Sequence, residues 1–321
     1  MAAPCWAALD IGSNTVMTLV ALGRQDALCE AAEWRATTRL GQGVDARGVL
    51  APEAQERTLA AVAEQAAECR RQYPAGCGIA VATSAARDAR NGRAFLDRCS
   101  ALVGGTPLLL SGEEEARFTF RGMVSDLPPH TAVVHMDVGG GSSEITAGAS
   151  PAICRSAESV NLGCVRMGER FNLLDRAATT DVARARDAVR ALLLPACRRL
   201  EALPETAGNT VVLSGGSATT YAAMRLALPA YDARRVHGWM GRTADLDEAL
   251  DRLFALTAAE RSRLPCVHVG RAPVLPAGLL ILCEFLHLRG AESFRVSTRS
   301  LRFGLAQALA AGDVVPTWSW R

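Results

Sequence analysis

The amino-acid sequence predicts an α/β protein with two similar domains. The main evidence is a repeated phrase, in which an apolar run, an aspartate, one aliphatic residue and a glycine turn precede a second β-prone run. The two aspartates, Asp10 and Asp137, lie 127 positions apart, which is the length of one ordinary domain. Strand and helix patterns also alternate in both halves. With 321 residues, of which 49% are hydrophobic, the chain is long enough for two packed cores.

The first domain, which we place at residues 1–127, begins with a hairpin. Apolar residues at helical spacing predict its helices, and apolar runs predict its strands. Ser111 is a suitable N-cap for the last helix because acidic residues follow it. The predicted elements are strands 6–10 and 16–22, helix 53–72, strand 78–83, helix 92–103, strand 107–110 and a helix from Ser111.

The second domain, residues 128–300, starts at the turn-forming pair Pro128-Pro129. We expect a closing helix at about 301–311 to pack back on the first domain, whereas the tail with Trp318 and Trp320 shows no usable pattern. The predicted elements are strands 132–138 and 144–149, helix 180–202, strand 210–213, a helix from 218, helices 245–263 and 274–289, and a strand ending at 296–297.

The composition excludes several mechanisms. All 35 basic residues are arginine, since the sequence contains no lysine. A Schiff-base lysine and a Walker-type P-loop are therefore excluded, and anionic ligands need arginine, backbone N–H groups or a metal ion. The net charge of +2 is ordinary for a globular protein, and no nucleic-acid recognition module is visible.

The ten cysteines are scattered without C-x-x-C spacing, so the sequence predicts reduced, mostly buried thiols and no zinc site. The N-terminus lacks a signal-peptide pattern. The apolar segment 274–288 is too short to span a bilayer, and Glu284 interrupts it. We therefore expect a soluble cytoplasmic protein without membrane contact. His237 and His268 stand alone and are predicted to be structural or exposed.

Three glycine turns are candidate phosphate sites. Consecutive N–H groups without an obstructing Cβ can approach a phosphate closely, and the third turn also opens a helix, whose N-terminus favours anions. Ordinary hairpin turns are the alternative, but the aspartate before each of the first two favours phosphate binding. The candidate ligands are Gly12, Ser13, Asn14, Thr15, Gly139, Gly140, Gly141, Ser142, Gly215, Gly216 and Ser217.

Carboxylates at the strand ends are candidate metal ligands, because a buried carboxylate needs a partner or a cation. Mg²⁺ suits hard oxygen ligands and also accepts phosphate oxygens. For Asp137 with Glu144 we favour metal binding, whereas capping of its own turn explains Asp10 equally well.

The acidic run 113–115 contains a candidate base, since hydrolysis needs a group that positions water. Such a run is most often the solvent-exposed start of a helix. The residues alone do not show which of the three glutamates would be the base. Arg87, just beyond the strand end at Thr83-Ser84, can clamp a phosphate with two hydrogen bonds, and so can Arg39 in Arg39-Leu40-Gly41. A surface position is the ordinary explanation for either one, because the chain has 35 arginines.

Taken together, these stretches resemble the exopolyphosphatase/guanosine pentaphosphate phosphohydrolase (Ppx/GppA) family of the actin-like ATPase superfamily, over roughly residues 5–310. The order and spacing of the motifs are specific. They are residues 10–15, 39–43, 82–89, 111–117, 137–144, 161–166, 214–217, 296–297 and 301–304. The resemblance implies two actin-like (ribonuclease-H-like) domains that face each other across a cleft.

The resemblance also implies roles for single residues. Glu115 becomes the water-activating carboxylate, Arg87 a phosphate ligand, and Asp137 with Glu144 the ligands of Mg²⁺ or Mn²⁺; Asp10 stays a third candidate. The implied reaction releases the terminal phosphate of inorganic polyphosphate. Guanosine pentaphosphate or tetraphosphate is an alternative ligand, and a kinase, a non-catalytic polyphosphate or alarmone sensor and an actin-like filament protein are alternatives of other classes. A homodimer is also expected from the family.

The chain departs from the family pattern in two places. Relatives carry Arg-Ala-Asp where this chain has Arg271-Ala272-Pro273, so a polar role is lost there, and Ser143 replaces a usual threonine. Long members of the family have an extra helical domain. The chain therefore resembles the short, two-domain class.

Overall fold

The computed structural model describes residues 3–24, 27–203 and 210–321. They form two compact units, of which unit 1 consists of the chain up to Gly122 together with Leu301–Arg321, and unit 2 consists of Met123–Ser300. The change of unit thus lies a few residues before the boundary predicted at Pro128. None of the described helices has both the length and the apolar character that a membrane crossing requires.

Twelve strands occur in the described ranges. They are β1 (Cys5–Ile11), β2 (Thr15–Leu22), β3 (Cys29–Thr37), β4 (Gly76–Ala82), β5 (Leu108–Leu109), β6 (Ala132–Val138), β7 (Ser143–Ala149), β8 (Ile153–Val160), β9 (Thr210–Ser214), β10 (Met240–Arg242), β11 (Ser293–Val296) and β12 (Trp318–Trp320).

Thirteen helices of at least one turn accompany these strands in the described part of the chain. They are α1 (Val44–Arg47), α2 (Pro52–Gln72), α3 (Ser84–Asp88), α4 (Gly92–Val103), α5 (Gly112–Met123), α6 (Cys164–Arg170), α7 (Thr179–Glu201), α8 (Gly215–Arg225), α9 (Ala233–Val236), α10 (Thr243–Phe254), α11 (Ala258–Arg261), α12 (Leu275–Leu288) and α13 (Leu301–Ala311).

The two sheets share one strand order. In unit 1, β1, β2 and β3 form an antiparallel meander, β4 is parallel to β1, and β5 is parallel to β4. In unit 2, β6, β7 and β8 form the meander, β9 is parallel to β6, and β11 is parallel to β9. This is the ribonuclease-H-like order of actin-like domains. The predicted fold class is confirmed, and the repeated phrase lies at the same hairpin of both units.

Unit 1 packs a helical layer on each face of its sheet, because successive side chains of a strand point to opposite faces. Leu9 and Ile11 of β1 pack towards α2 and α4, whereas Ala8 packs against Leu305 and Leu309 of α13. The closing helix α13 therefore belongs to the core of unit 1.

Unit 2 has one large core around α12, which is buried along nearly its whole length. Glu284, which interrupts this apolar helix in the sequence, is fully buried and forms ion pairs with Arg186 and Arg190 of α7. Arg261 is also fully buried, and its guanidinium donates to backbone carbonyls that include those of Leu253 at 2.9 Å and Asp175 at 2.7 Å. Pairing and hydrogen bonding make these buried charges tolerable.

Several elements differ from the sequence-based prediction. Strands β3, β8, β10 and β12 and the short helices α1, α3, α6 and α9 were not expected. The helix predicted at 245–263 is two helices, α10 and α11, because Thr257 begins α11 with a capping box in which Glu260 is the reciprocal partner.

Candidate functional site

In unit 1, the predicted site residues lie on loops at one edge of the sheet. Asp10 is near the end of β1, Ser84 and Arg87 follow β4, and Glu115 follows β5. Because these three strands are parallel, their carboxyl ends meet at the same edge. The topology alone thus brings together residues that are far apart in sequence.

The turn between β1 and β2 is fixed by backbone hydrogen bonds. The carbonyl of Asn14 accepts from the N–H groups of Thr38 (3.1 Å) and Arg39 (3.0 Å), and the carbonyl of Ser13 accepts from Gly41 (2.7 Å). The Ser13 hydroxyl accepts from the N–H of Ala85 at 3.1 Å, at the start of α3. The Arg39–Gly41 motif therefore supports the turn through its backbone.

Asn14 is 5% exposed, and neither its amide nitrogen nor its amide oxygen has a hydrogen-bond partner in the described part of the chain. The hydroxyl of the neighbouring Thr38 is in the same situation. An unsatisfied buried polar group costs about 1–3 kcal/mol. A bound anion would accept hydrogen bonds from the amide nitrogen of Asn14 and the hydroxyl of Thr38, so the turn of Gly12, Ser13, Asn14 and Thr15 fits its predicted role as a phosphate ligand.

The structure distinguishes the three consecutive glutamates. Glu113 is exposed and pairs with Arg117 at 2.9 Å. Glu114 forms a capping box with Ser111, whose N–H and hydroxyl both donate to it at 2.8 Å. Glu115 is 8% exposed. Of the three, only Glu115 points into the protein.

Arg87 connects Glu115 to the end of β5. Its Nη1 atom donates to the carbonyl of Leu110 at 2.8 Å and lies 3.3 Å from Oε2 of Glu115. The pair is mostly buried, with 24% of the Arg87 side chain and 10% of the Glu115 side chain exposed. A guanidinium and a carboxylate are thus held together at the sheet edge that also holds the glycine turn of unit 1.

In unit 2, helix α6 orients the glycine turn between β6 and β7. The carbonyl of Gly139 accepts from Cys164 (3.0 Å), that of Gly140 accepts from Val165 (2.9 Å), and that of Gly141 accepts from Nε of Arg166 (2.8 Å). A trans peptide directs its N–H opposite to its carbonyl. The N–H groups of Gly140, Gly141 and Ser142 therefore point away from α6, and these three donors have no partner in the described ranges.

Gly163 allows this close approach of α6. A Cβ at Gly163 would lie 2.3 Å from the oxygen of Gly140 and 2.5 Å from the nitrogen of Gly141. No side chain fits there. The result is a row of aligned N–H groups that is suited to an anion.

The carboxylates Asp137 and Glu144 face each other directly in the register of β6 and β7. Glu144 is 2% exposed and accepts from the hydroxyls of Ser142 and Ser159, each at 2.9 Å. Asp137 accepts from the hydroxyl of Ser214 at 2.5 Å. The donor atoms are all oxygens and are fixed by supporting hydrogen bonds, so the pair fits Mg²⁺ or Mn²⁺.

His135 completes this support from inside the core. Because Ser214 donates to Asp137, it accepts from Nε2 of His135 at 2.8 Å, and Nδ1 of His135 lies 3.1 Å from the hydroxyl of Thr146. Burial lowers the pKa of His135 to about 3, so the ring is neutral. The chain from His135 through Ser214 orients Asp137 without adding charge.

The third glycine turn lies beside this pair at the start of α8. Gly215 has a φ of +86°, and a Cβ there would lie 2.8 Å from Oδ1 of Asp137. The Ser217 hydroxyl is fully buried and has no partner in the described residues. Gly215, Gly216 and Ser217 thus border the carboxylates, and the helix N-terminus adds favourable potential for an anion.

Arg271 lies against the same turn. Its guanidinium packs on Gly216, and its Nη1 is 3.8 Å from the Cys164 sulfur. Arg271 is 6% exposed, its Nε has no hydrogen-bond partner, and no carboxylate forms an ion pair with it in the part of the chain that the structure describes. Burial raises the pKa of the Cys164 thiol, so this neighbour stays neutral. Arg271 thus places a guanidinium without an ion pair, among the described residues, against the third glycine turn.

The chain is similar to known proteins over most of its length. The sequence profile of the Ppx/GppA phosphatase family matches residues 21–310. The chain belongs to the Ppx/GppA phosphatase family. It is 36% identical to exopolyphosphatase 2 of Mycobacterium tuberculosis over 318 residues, which cover 95% of this chain and 98% of that protein.

Solved structures of Ppx/GppA proteins are similar over the same length. An exopolyphosphatase-like protein superposes with a TM-score of 0.90 at 27% identity, covering 98% of this chain and 100% of the other. The Aquifex aeolicus member of the Ppx/GppA family superposes with a TM-score of 0.78 at 27% identity, covering 97% and 99%. The similarity spans both units.

Two residues that support this candidate site were not expected from the sequence. His135 and Ser159 support the carboxylates. Arg271, which the sequence offered only as part of the divergent Arg271-Ala272-Pro273 stretch, packs on the turn at Gly216. The sequence signal was weak, because His135 is a histidine inside an apolar strand and Ser159 lies in a strand without an apolar run. Their contacts with the carboxylate side chains follow only once the register of the sheet is known.

Proposed function

We propose that the chain is an exopolyphosphatase, which hydrolyses the terminal phosphoanhydride bond of inorganic polyphosphate in the presence of Mg²⁺. Membership of the Ppx/GppA family and the similarity to a protein named exopolyphosphatase support this reaction class. The observation that carries the proposal is the burial of Glu115 beside Arg87, at the sheet edge that also holds the turn of Asn14.

The residues divide the chemistry between them. Glu115 would accept a proton from water as the water oxygen attacks the terminal phosphorus, and the bond from that phosphorus to the bridging oxygen would break. The shortened chain leaves with the bonding electron pair. Arg87 would offset charge on the terminal phosphoryl oxygens, since phosphoryl transfer depends mainly on positioning and charge stabilisation.

Unit 2 would bind the anionic chain. The N–H groups of Gly140, Gly141 and Ser142 and the guanidinium of Arg271 supply positive potential without lysine. Asp137 and Glu144 would hold Mg²⁺, which when bound supplies Lewis-acid stabilisation of phosphoryl oxygens.

The test is the release of phosphate from medium-length polyphosphate by the wild type, Glu115→Gln and Glu113→Gln, with Mg²⁺ and with a chelator. Glu113→Gln is a matched control, because Glu113 is the exposed member of the same run. We expect Mg²⁺-dependent release by the wild type and the control. In Glu115→Gln we expect turnover to fall by at least about 10²-fold, the scale of a positioned base.

Two results would change the proposal. Near-normal turnover in a folded Glu115→Gln variant would remove the assignment of the base. Cleavage of guanosine pentaphosphate but not of polyphosphate would leave the base in place and show that the substrate class is wrong.

A further inference from the structure

A second group of metal-binding side chains lies in unit 2, between helices α10 and α12. Asp247 belongs to α10, and Cys283 and His287 belong to α12. One ligand atom of each residue lies within 4.8 Å of the other two. Because Cys283 and His287 are four positions apart on a helix, they point from the same face towards Asp247.

Asp247 lies between the other two side chains. The Cys283 thiol donates to Oδ1 at 2.7 Å, and Nε2 of His287 is 3.0 Å from Oδ2. A catalytic cysteine would need the imidazole, and not the carboxylate, next to the sulfur. Burial and the hydrogen bond to Asp247 raise the pKa of Cys283, which also makes it a poor nucleophile.

The surroundings suit an ion. Cys283 is fully buried, whereas 37% of the Asp247 side chain and 35% of the His287 side chain are exposed, so an ion and a water molecule can reach the group. The adjacent carboxylate of Glu284 is already paired with Arg186 and Arg190. In the described ranges, the side chains of Asp247, Cys283 and His287 are hydrogen-bonded only to one another.

We propose that Asp247, Cys283 and His287 form a zinc site, with water as the fourth ligand, that links α10 to α12. A set of one sulfur, one nitrogen and one oxygen favours Zn²⁺ over Mg²⁺ or Ca²⁺, which prefer oxygen alone. When Zn²⁺ binds, the thiol proton leaves to solvent, and the thiolate and carboxylate balance the charge of the ion.

Only small movements are needed. Bonds of about 2.0–2.3 Å in a tetrahedron separate ligand atoms by roughly 3.3–3.5 Å. The present hydrogen-bond distances of 2.7 and 3.0 Å are shorter by less than an ångström. The C-x-x-C spacing that the sequence lacks is not required, because two helices supply the ligands.

The experiment titrates the full chain with Co²⁺, and then with Zn²⁺, in excess Mg²⁺ to occupy the oxygen-only carboxylate site. We expect one equivalent of Co²⁺ to produce thiolate-to-cobalt charge-transfer absorption, Zn²⁺ to abolish this band, and Zn²⁺ to raise the unfolding temperature. His287→Gln and Cys283→Ser should each weaken metal binding by more than about tenfold, because even the loss of a residue that only supports a metal ligand lowers affinity by about 10- to 100-fold. Cys29→Ser and His130→Gln are controls, since both residues are exposed elsewhere.

The proposal fails if the wild type shows no charge-transfer band, or if His287→Gln binds as tightly as the wild type. His287 is near the solvent-exposed end of α12, so this variant tests the site even if Cys283→Ser does not fold. Mg²⁺-dependent phosphate release by His287→Gln should be unchanged, which separates this proposal from the exopolyphosphatase proposal.

Discussion

Arg271 is a buried side chain that lies against the glycine turn at the start of α8. Taking a guanidinium out of water costs several kcal/mol unless a partner compensates. Arg271 has no paired carboxylate in the described residues, and its neighbour Cys164 is a neutral thiol. Asn14 shows the same pattern without a charge, since neither of its buried amide atoms has a partner in the part of the chain that the structure describes. Such residues reduce the stability of the protein unless a ligand satisfies them, which is consistent with the phosphate-binding roles proposed for each unit.

We expect Arg271→Met to raise the KM for polyphosphate by about 10- to 100-fold, because a hydrogen bond to a charged group contributes about 1.5–3 kcal/mol. The same change should leave the free energy of unfolding unchanged or increase it by about 1–4 kcal/mol, since an apolar side chain replaces a buried charge. Urea unfolding and phosphate release measure the two effects. Arg263→Met, at an exposed arginine, is the control. A large loss of stability in Arg271→Met would show a structural role instead.

At the scale of elements, α6 fixes the conformation of the glycine turn in unit 2. We expect Gly163→Ala to reduce phosphate release at least about tenfold and the free energy of unfolding by about 1–3 kcal/mol, because the new Cβ would overlap the Gly140 backbone. Gly168→Ala in the same helix is the control. Its Cβ would meet the end of the Leu174 side chain, which can move, and alanine favours the helix by about 1 kcal/mol. Equal activity of the two variants would contradict the role of α6.

The short 3-10 turn Val124–Asp126 at the start of unit 2 is held by ionic contacts. Asp126 lies 2.7 Å from Nε2 of His237 and 3.3 Å from Nη2 of Arg295. His237 is thus half-buried and structural, as the sequence predicted. Burial alone would raise the pKa of Asp126, but the hydrogen bond and charge of His237, together with Arg299 and Arg295, lower it below the ordinary value of 3.8.

A carboxyl group whose pKa is lowered by folding contributes stability above its unfolded pKa, and this contribution is lost as the pH falls through the folded pKa. We therefore expect Asp126→Asn to be less stable than the wild type at about pH 6, and the difference to shrink towards about pH 3. Urea unfolding at both pH values measures it. A difference that grows on acidification would contradict the ionic role of Asp126.

At the scale of the whole molecule, the sequence predicted the bounds of those strands and helices whose apolar residues face a core. The hairpins of both units, α2, α4 and α12 were predicted within one or two residues of their observed bounds. Strand β3 was missed because it is an edge strand in which Glu30, Glu33 and Arg35 interrupt any apolar run. Strand β12 was missed because its two tryptophans need the small Gly76 and Gly78 of β4 opposite them, and that pairing is not local.

The candidate site likewise contains residues that local sequence patterns predict and residues that they do not. The glycine turns and Asp137 with Glu144 follow from local patterns, because a hairpin places its strand ends together. From the residues alone, the choice of Glu115 over its neighbours depends on which face of α5 is buried, and only the family resemblance singled it out. The position of Arg271 depends on its contacts with Cys164 of α6 and Gly216 of α8, which are far from it in the sequence.

The two-part composition of unit 1 also has a consequence for synthesis. Leu305 of α13 packs in the core of unit 1, and Trp318 of β12 packs in the core and pairs with β4. Both residues are translated after all of unit 2. Domains usually fold in order as they leave the ribosome. In this chain we expect unit 2 to fold first, because unit 1 is complete only after α13 and β12 have been translated. We expect stalled nascent chains that expose residues up to 300 to contain a protease-resistant unit 2 and a protease-sensitive unit 1. Exposure of residues 301–321 should then protect both.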